Sequence, residues 1–262
     1  MKYSTLLAVL LIPLIANAQQ DPLSEHALKT LEIYRTIIEV DTSKTTGNTP
    51  LVAQFLADEL VAAGFPPGDV EVIRMDNTAA LVARYRGNGR SGKKPILFLG
   101  HMDVVEANAE DWERPPFELT QDETFFYARG TDDNKFGIAQ LTSTFIRLKH
   151  EGFVPNRDLF LAFSGDEESG MITTRMLAYE RPELAEAEFA LNSDAGGGAL
   201  NREGIAVLYG IQASKRHTPP GISPSAIREA TVRGRARITP SMTCRMSSKE
   251  SRNTGFQSVT TT

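Results

Sequence analysis

The sequence predicts an α/β fold, in which helices cover both faces of a mixed, partly parallel sheet. Three observations lead to this prediction. Segments with helical spacing of apolar residues alternate with short β-rich runs between about residues 21 and 210. The runs are about four to seven residues long, which suits the strands of an α/β sandwich. Several runs are followed directly by acidic residues or a histidine, at the strand ends where such folds bind ligands.

The helices are predicted from apolar residues that recur three or four positions apart. A second helix follows Pro50, because proline is favoured in the first turn of a helix. Two further helices are predicted over residues 136–148 and 172–179. The periodic residues of the first two helices are Leu28, Leu31, Tyr34, Ile37 and Ile38, and then Val52, Phe55, Leu56, Leu60 and Val61.

Strands are predicted where β-branched, aromatic and other apolar residues form short runs. Beyond Gln212 the alternation stops, because prolines, glycines and a Ser/Thr-rich end leave only residues 225–232 as a candidate element. The sheet is therefore expected to be built from the earlier part of the chain. The predicted strands cover residues 70–75, 80–85, 96–99, 159–163, 188–192 and 205–209.

Residues 1–18 have the features of a signal peptide. Lys2 gives a positive start, residues 6–15 are apolar, and Ala16-Asn17-Ala18 is a small-x-small cleavage site. A membrane anchor is the alternative, but it needs about twenty apolar residues and this stretch has about ten. We therefore expect an exported protein, periplasmic or secreted, without a membrane span.

Composition limits the classes of partner and the sources of stability. The formal net charge of −5 argues against nucleic acid as a partner. The single cysteine, Cys244, rules out an internal disulfide, so stability is expected from the core and from bound metal. Residues 215–262 contain nine Lys or Arg and two Asp or Glu, with few apolar residues. Such a stretch is expected to be a disordered tail.

The first candidate site follows the strand at residues 96–99. Residues two apart in an extended segment point to the same side, so the side chains of His101 and Asp103 can meet. A metal-binding histidine commonly donates its second ring N–H to a carboxylate, which fixes the ring. A surface histidine beside a solvated aspartate would give the same sequence pattern, so this pair alone does not establish a metal site.

Asp132 and Asp133 come directly before the helix predicted over residues 136–148. Acidic residues at this position also cap helices, and that interpretation stays open. A calcium loop beginning at Asp132 is excluded, because its twelfth position is Ser143 and not the glutamate that such a loop needs.

Two more acidic motifs follow strands. Asp166, Glu167 and Glu168 are consecutive carboxylates whose repulsion must be offset by water or a cation, and a solvated charge run is the alternative. Asp194 begins an acidic turn with three glycines. Together the four motifs supply one imidazole and several carboxylates at strand or helix boundaries. Zinc binds such ligands, and a pair of zinc ions is a common hydrolytic device.

Taken in order, these motifs resemble the M20 family of co-catalytic zinc peptidases, which includes carboxypeptidases, aminoacylases, dipeptidases and deacylases of amino-acid biosynthesis. The resemblance covers about residues 28–214. A further stretch, Trp112-Glu113-Arg114-Pro115-Pro116-Phe117, favours the carboxypeptidase and aminoacylase branch. The matching motifs are Gly100-His101-Met102-Asp103-Val104-Val105, Arg129-Gly130-Thr131 with Asp133-Asn134-Lys135, Asp166-Glu167-Glu168-Ser169-Gly170 and Asn192-Ser193-Asp194.

The resemblance implies a zinc-peptidase-type α/β/α sandwich and a metallopeptidase-type hydrolase. Its substrate would be a peptide or an N-acyl amino acid, and a complete site would hold two Zn²⁺ ions. His101 and Asp194 would bind one zinc, Glu168 would bind the other, and Asp133 would bridge the two.

The resemblance also implies the catalytic roles. Glu167 would be the general base that takes a proton from water and then the acid that returns it to the leaving amine. Asp103 would orient His101. The peptide bond between Asp133 and Asn134 is expected to be cis.

The sequence departs from the family pattern after about Ser214. Family members continue into a lid or dimerisation domain and return with a last histidine for the second zinc. We expect the lid and the C-terminal part of the catalytic domain to be missing, through truncation or a frame shift, with a genuine basic tail as the alternative. A homodimer is expected only where the lid is present.

The predicted domains are a signal peptide at residues 1–18, an incomplete catalytic domain at 19–214 and a tail outside the family at 215–262. Because the second zinc lacks its last histidine, little or no activity is expected of the chain as written. The alternative function is therefore a catalytically incompetent remnant that at most binds zinc.

Overall fold

The computed structural model describes residues 23–194, 197–213 and 228–231. The predicted signal peptide and most of the predicted tail lie outside the described residues. The helices are α1 (Glu25–Ile38), α2 (Thr49–Ala62), α3 (Lys135–His150), α4 (Ile172–Tyr179) and α5 (Pro182–Ala185). The strands are β1 (Val70–Met75), β2 (Thr78–Tyr85), β3 (Ile96–His101), β4 (Thr120–Gln121), β5 (Phe126–Tyr127), β6 (Leu159–Ser164), β7 (Phe189–Asn192), β8 (Gly197–Leu200), β9 (Ala206–Ala213) and β10 (Arg228–Thr231).

The central sheet has five strands in the order β1-β2-β6-β3-β7. β3 runs parallel to both β6 and β7, whereas β2 is antiparallel to β1 and β6. The predicted mixed, partly parallel sheet is therefore confirmed. Because β3, β6 and β7 are parallel, their carboxyl ends lie at the same edge of the sheet, and the chain segments that follow them converge there.

The two central strands, β2 and β6, are buried on both faces of the sheet. Leu81 and Phe163 belong to a larger core beneath α1, α2 and α3. Val82 and Phe160 belong to a smaller core beneath α4 and α5. Successive side chains of a strand point to opposite faces, so a strand covered on both sides has a continuous apolar sequence. This three-layer arrangement is the predicted α/β/α sandwich.

The first helix illustrates how local sequence fixes these elements. Its N-cap residue, Ser24, accepts a hydrogen bond from the backbone N–H of Ala27 at 3.2 Å. Ile33, Tyr34, Ile37 and Ile38 are buried in the larger core, whereas Leu28, near the start of the helix, is exposed. On the side that faces α3, Thr30 Oγ1 lies 2.8 Å from Ser143 Oγ. Among the described residues, no helix is long and apolar enough to cross a membrane.

Several elements were not predicted from the sequence. The hairpin of β4 and β5 has strands of two residues each, too short to show a periodicity. β8 lies in the glycine-rich stretch after Asp194, which we interpreted as a turn. By contrast, β10 lies within residues 225–232, the one candidate element named beyond Gln212, and it pairs with β9. Each of these short strands is defined by its pairing partner, which a single sequence does not reveal.

Candidate metal site

The predicted site residues meet at the carboxyl ends of β3, β6 and β7. His101 ends β3, Glu167 and Glu168 follow β6, Asp194 follows β7, and Asp133 lies just before α3. Their ligand atoms form two groups, each with all atoms within 4.8 Å of one another. One group is His101, Asp133 and Asp194, and the other is His101, Glu167 and Glu168. The structure thus brings these five residues together, and their individual roles stay predictions.

The separations within the first group suit a metal ion. His101 Nε2 lies 2.8 Å from Asp133 Oδ1 and 3.6 Å from Asp194 Oδ1. Two atoms that are each about 2.0–2.1 Å from a tetrahedral zinc ion lie about 3.4 Å apart. The observed distances fall on either side of that value, and imidazole with carboxylates is a zinc donor set. The residues therefore fit a zinc ion.

His101 is buried, and both of its ring nitrogens have partners. Nδ1 lies 3.1 Å from the backbone carbonyl oxygen of Asp103, which only accepts hydrogen bonds, so Nδ1 carries a proton. Burial lowers the pKa of His101, but Asp103 and Asp133 oppose it and raise the pKa to about 11. The Nε2 proton is thus held by Asp133, and a metal ion that bound Nε2 would have to replace it.

Asp103 has a second contact that the sequence did not reveal. Its buried carboxylate accepts hydrogen bonds from the backbone N–H of Glu167 at 3.0 Å and of Glu168 at 2.9 Å. The same carboxylate lies 3.4 Å from His101 Nδ1, farther than the Asp103 carbonyl oxygen. Asp103 therefore connects the end of β3 to the loop after β6, in addition to its predicted role in orienting His101.

The remaining carboxylates at the site crowd one another. Burial raises the pKa of Glu167 and of Glu168, and the Asp133 carboxylate raises that of Glu168 as well. The hydrogen bond to His101 lowers the pKa of Asp133, so this carboxyl stays ionised. Like charges held this close repel, and a bound cation would stabilise them.

The structure distinguishes between the neighbouring residues Asp132 and Asp133. Both side chains are exposed, but Asp133 joins the metal-binding group, whereas Asp132 belongs to neither group. The choice of Asp133 as the candidate ligand therefore agrees with the geometry. The peptide bond between Asp133 and Asn134 is cis, as the family resemblance implied.

Asp166 stabilises the turn that contains Glu167 and Glu168, through contacts with the start of α4. The sequence did not indicate this role. Its buried carboxylate accepts hydrogen bonds from the backbone N–H of Ile172 at 2.6 Å and of Thr173 at 2.9 Å, and from the Thr173 hydroxyl. It therefore closes the turn that carries Glu167 and Glu168 onto the start of α4. The three consecutive acidic residues look equivalent in the sequence. The one available signal is that Asp166 comes shortly before the helix predicted at residues 172–179, where an aspartate can cap the helix.

Lys135 belongs to the same motif as Asp133 but lies behind the site. Its side chain is fully buried, and Nζ donates a hydrogen bond to the backbone carbonyl of Val40 at 2.7 Å. Burial lowers the pKa of Lys135 to about 7, although Asp41 and Asp103 act in the opposite direction. Lys135 thus links the start of α3 to the segment after α1, and it does not reach the metal-binding group.

A model of the peptidase family M20/M25/M40 matches residues 97–249, which is more than half of the chain. The matched residues include all five of the grouped side chains. They also extend past Ser214, and the domain boundaries given above stay predictions.

A curated relative from Staphylococcus aureus, named probable succinyl-diaminopimelate desuccinylase, is 37% identical over 110 residues. The alignment covers 41% of this chain and 26% of the relative, so the chain spans about a quarter of that protein.

Two solved structures resemble this fold, each with a TM-score of 0.58 and 21% sequence identity. The di-peptidase Dug1p from Saccharomyces cerevisiae matches 71% of this chain and 42% of its own length. The M20 family metallo-carboxypeptidase Sso-CP2 from Sulfolobus solfataricus matches 70% and 41%, respectively. At this level of identity, the likeness concerns the fold alone.

Proposed function

Because this chain belongs to peptidase family M20/M25/M40, we propose that it is a zinc-dependent hydrolase that cleaves amide bonds of peptides or N-acyl amino acids. The observation that carries the proposal is the meeting of His101 with four carboxylates at one edge of the sheet. The names of the related proteins, a desuccinylase, a di-peptidase and a metallo-carboxypeptidase, support the substrate class.

In this proposal the zinc ligands divide into two sets. His101, Asp133 and Asp194 would hold one ion, and Asp133 and Glu168 would hold a second. Zinc at these positions would polarise the substrate carbonyl and make a nearby water more acidic. The second set should bind zinc more weakly, because it has no histidine of its own. In the described part of the chain, both groups of ligand atoms contain the same histidine, His101.

Glu167 acts as the general base and then as the general acid. The proposal is supported by proximity, because a Glu167 carboxylate oxygen lies within 4.8 Å of ligand atoms of His101 and Glu168. Burial raises its pKa, which brings it closer to the pH at which a carboxylate both takes and returns a proton efficiently. Asp103 fixes the backbone of Glu167 and thereby the direction of its side chain.

Export to the periplasm or the exterior is part of the proposal. It is supported by the positive start, apolar stretch and cleavage site of residues 1–18. Association into a homodimer through a lid domain stays a prediction.

The test uses residues 19–262 with added zinc, and measures zinc per chain together with hydrolysis of N-acyl amino acids and short peptides. Glu167→Gln should lower turnover by about 100-fold or more with unchanged zinc content, because an amide cannot take the proton from water. Glu151→Gln, at the far end of α3, is the matched control and should change neither quantity. Zinc loss in Glu167→Gln would mean that Glu167 and Glu168 have exchanged roles.

The alternative is a protein that binds zinc without catalysis. It is favoured by the shared histidine of the two groups. Stoichiometric zinc binding without hydrolysis of any substrate in the panel would support this alternative and reject the proposed activity.

A further inference from the structure

Two small polar residues lie beside the candidate ligands and contact each other. Asn134 follows Asp133, and Ser193 precedes Asp194. Ser193 Oγ lies 3.2 Å from Asn134 Oδ1 and 3.0 Å from the backbone carbonyl oxygen of Leu99, so its one proton is shared between these acceptors. Asn134 Oδ1 also accepts a hydrogen bond from the backbone N–H of His101 at 3.2 Å.

The orientation of the Asn134 amide follows from these contacts. A backbone N–H can only donate, so the side-chain atom that faces His101 must be the oxygen. This leaves Nδ2, which is buried, without a hydrogen-bond partner in the described part of the chain. An unpaired buried donor lowers stability. The hydrogen bonds that Asn134 Oδ1 accepts therefore explain an asparagine at this position better than a contribution to stability does.

Two glycines allow this close approach. A Cβ atom at Gly100 would lie 2.7 Å from Asn134 Oδ1 and 3.1 Å from Ser193 Oγ. A Cβ atom at Gly137 would lie 2.5 Å from Ser193 Oγ. A larger residue at either position would force apart the end of β3, the start of α3 and the segment after β7.

We propose that Asn134 and Ser193 are positioning residues that fix His101, Asp133 and Asp194 relative to one another. Each of the three ligands is on a different segment. Asn134 Oδ1 contacts the backbone of His101 and the hydroxyl of Ser193, and these two polar residues directly adjoin Asp133 and Asp194 in the chain. Neither residue touches the metal in this assignment. The link between this pair and zinc rests on the proposed function, whereas the hydrogen bonds themselves do not.

Removal of either residue should weaken zinc binding. Loss of a group that orients a metal ligand typically lowers metal affinity by about 10- to 100-fold. Ser193→Ala removes one hydrogen bond and should fall near the lower end of this range. Asn134→Ala removes the shared acceptor and should fall near the upper end.

The experiment measures the zinc dissociation constant of residues 19–262 by competition with a chelator. Ser143→Ala is the matched control, because it also removes a hydrogen-bonded hydroxyl near α3 but on the side that faces Thr30. It should destabilise the fold while leaving the zinc dissociation constant within about twofold. An equal loss of zinc affinity in Ser143→Ala would overturn the proposal, since the effect would then follow from stability alone.

A second measurement keeps the inference separate from the proposed function. Hydrogen exchange of the His101 backbone amide, followed in metal-free protein, should be at least about 10-fold faster in Asn134→Ala than in the wild type. Asn134→Asp keeps the acceptor and should retain the protection.

If the wild type binds no zinc but the exchange follows this pattern, the positioning pair stands and the proposed function fails. If Asn134→Ala does not fold, the zinc dissociation constant of Ser193→Ala decides. Unchanged exchange at His101 in a folded Asn134→Ala variant would overturn the positioning pair.

Discussion

Asp103 and Asp166, the inner carboxylates of the site, are buried and accept hydrogen bonds from backbone N–H groups. The outer carboxylates, those of Asp133, Glu167, Glu168 and Asp194, receive no hydrogen bond from a backbone N–H in the described part of the chain. They instead surround His101 and repel one another. The inner pair thus builds the frame of the site, whereas the outer four keep their charges available for a cation.

The largest effect on stability is expected for an inner carboxylate. Asp166→Ala should lower the free energy of unfolding by about 2–4 kcal/mol, because it leaves the N–H groups at the start of α4 without their acceptor. Urea unfolding of metal-free protein measures this loss.

The matched control is Asp122→Ala, which removes an exposed carboxylate that also accepts two backbone hydrogen bonds. It should cost much less, because water can replace its bonds. Equal losses in the two variants would show that Asp166 is not part of a buried frame.

The second effect concerns an outer carboxylate. Asp194→Asn should weaken zinc binding by at least about 10-fold, comparable to the loss of a group that orients a ligand. Metal-free stability should fall far less than in Asp166→Ala, because the Asp194 carboxylate accepts no backbone hydrogen bond in the described part of the chain. The repulsion that it exerts on the other outer carboxylates also offsets its attraction to His101. Chelator competition gives the first quantity and urea unfolding with a chelator gives the second. A drop in metal-free stability like that of Asp166→Ala would abolish the distinction between inner and outer residues.

The outer residues were easier to identify from the sequence. His101, Asp133, Glu168 and Asp194 each follow a predicted strand or precede a predicted helix, and the resemblance to the M20 family singled them out as candidate ligands. The β-rich runs also predicted the central strands well, because β2 and β6 are covered on both faces and therefore uniformly apolar.

The inner residues were harder to predict. Asp166 adjoins the ligands in the sequence, but its role depends on the backbone of α4. The second role of Asp103 likewise depends on a loop 64 residues away along the chain. Asn134 and Ser193 come together because Ser193 follows β7, which pairs with β3, and the start of α3 places Asn134 against the end of β3. A single sequence contains the residue types but not these distances.

The third effect is a dependence of metal-free stability on pH. The folded-state pKa of His101, about 11, lies above its unfolded value of about 6.5. Its protonated form therefore stabilises the fold fully below pH 6.5, and this contribution is lost as the pH rises toward 11. The slope from one such group is at most about 1.4 kcal/mol per pH unit. Burial also raises the pKa values of Glu167 and Glu168. These two groups therefore also make stability fall as the pH rises, but at lower pH than His101 does.

Urea unfolding in the presence of a chelator, at several pH values from 6 to 9, measures this slope. Burial lowers the pKa of Lys135 to about 7, so Lys135 contributes stability that rises with pH above 7 and opposes the His101 contribution. The measure is therefore the difference in slope between the wild type and Asp133→Asn, because Lys135 contributes to both. The slope should be more positive in Asp133→Asn, in which the amide no longer holds the His101 Nε2 proton as a carboxylate does. Equal slopes would contradict the ion pair between His101 and Asp133.

The smallest effect is expected one residue before the candidate bridging ligand. Asp132 has the same side chain as Asp133 and is likewise exposed, but it belongs to neither metal-binding group. Asp132→Asn should leave the zinc dissociation constant within about twofold and change the free energy of unfolding by less than about 0.5 kcal/mol, as for most exposed substitutions. Asp133→Asn, measured beside it, removes the carboxylate that lies 2.8 Å from His101 Nε2 and should weaken zinc binding strongly. A greater loss of zinc affinity in Asp132→Asn than in Asp133→Asn would assign the bridging role to Asp132.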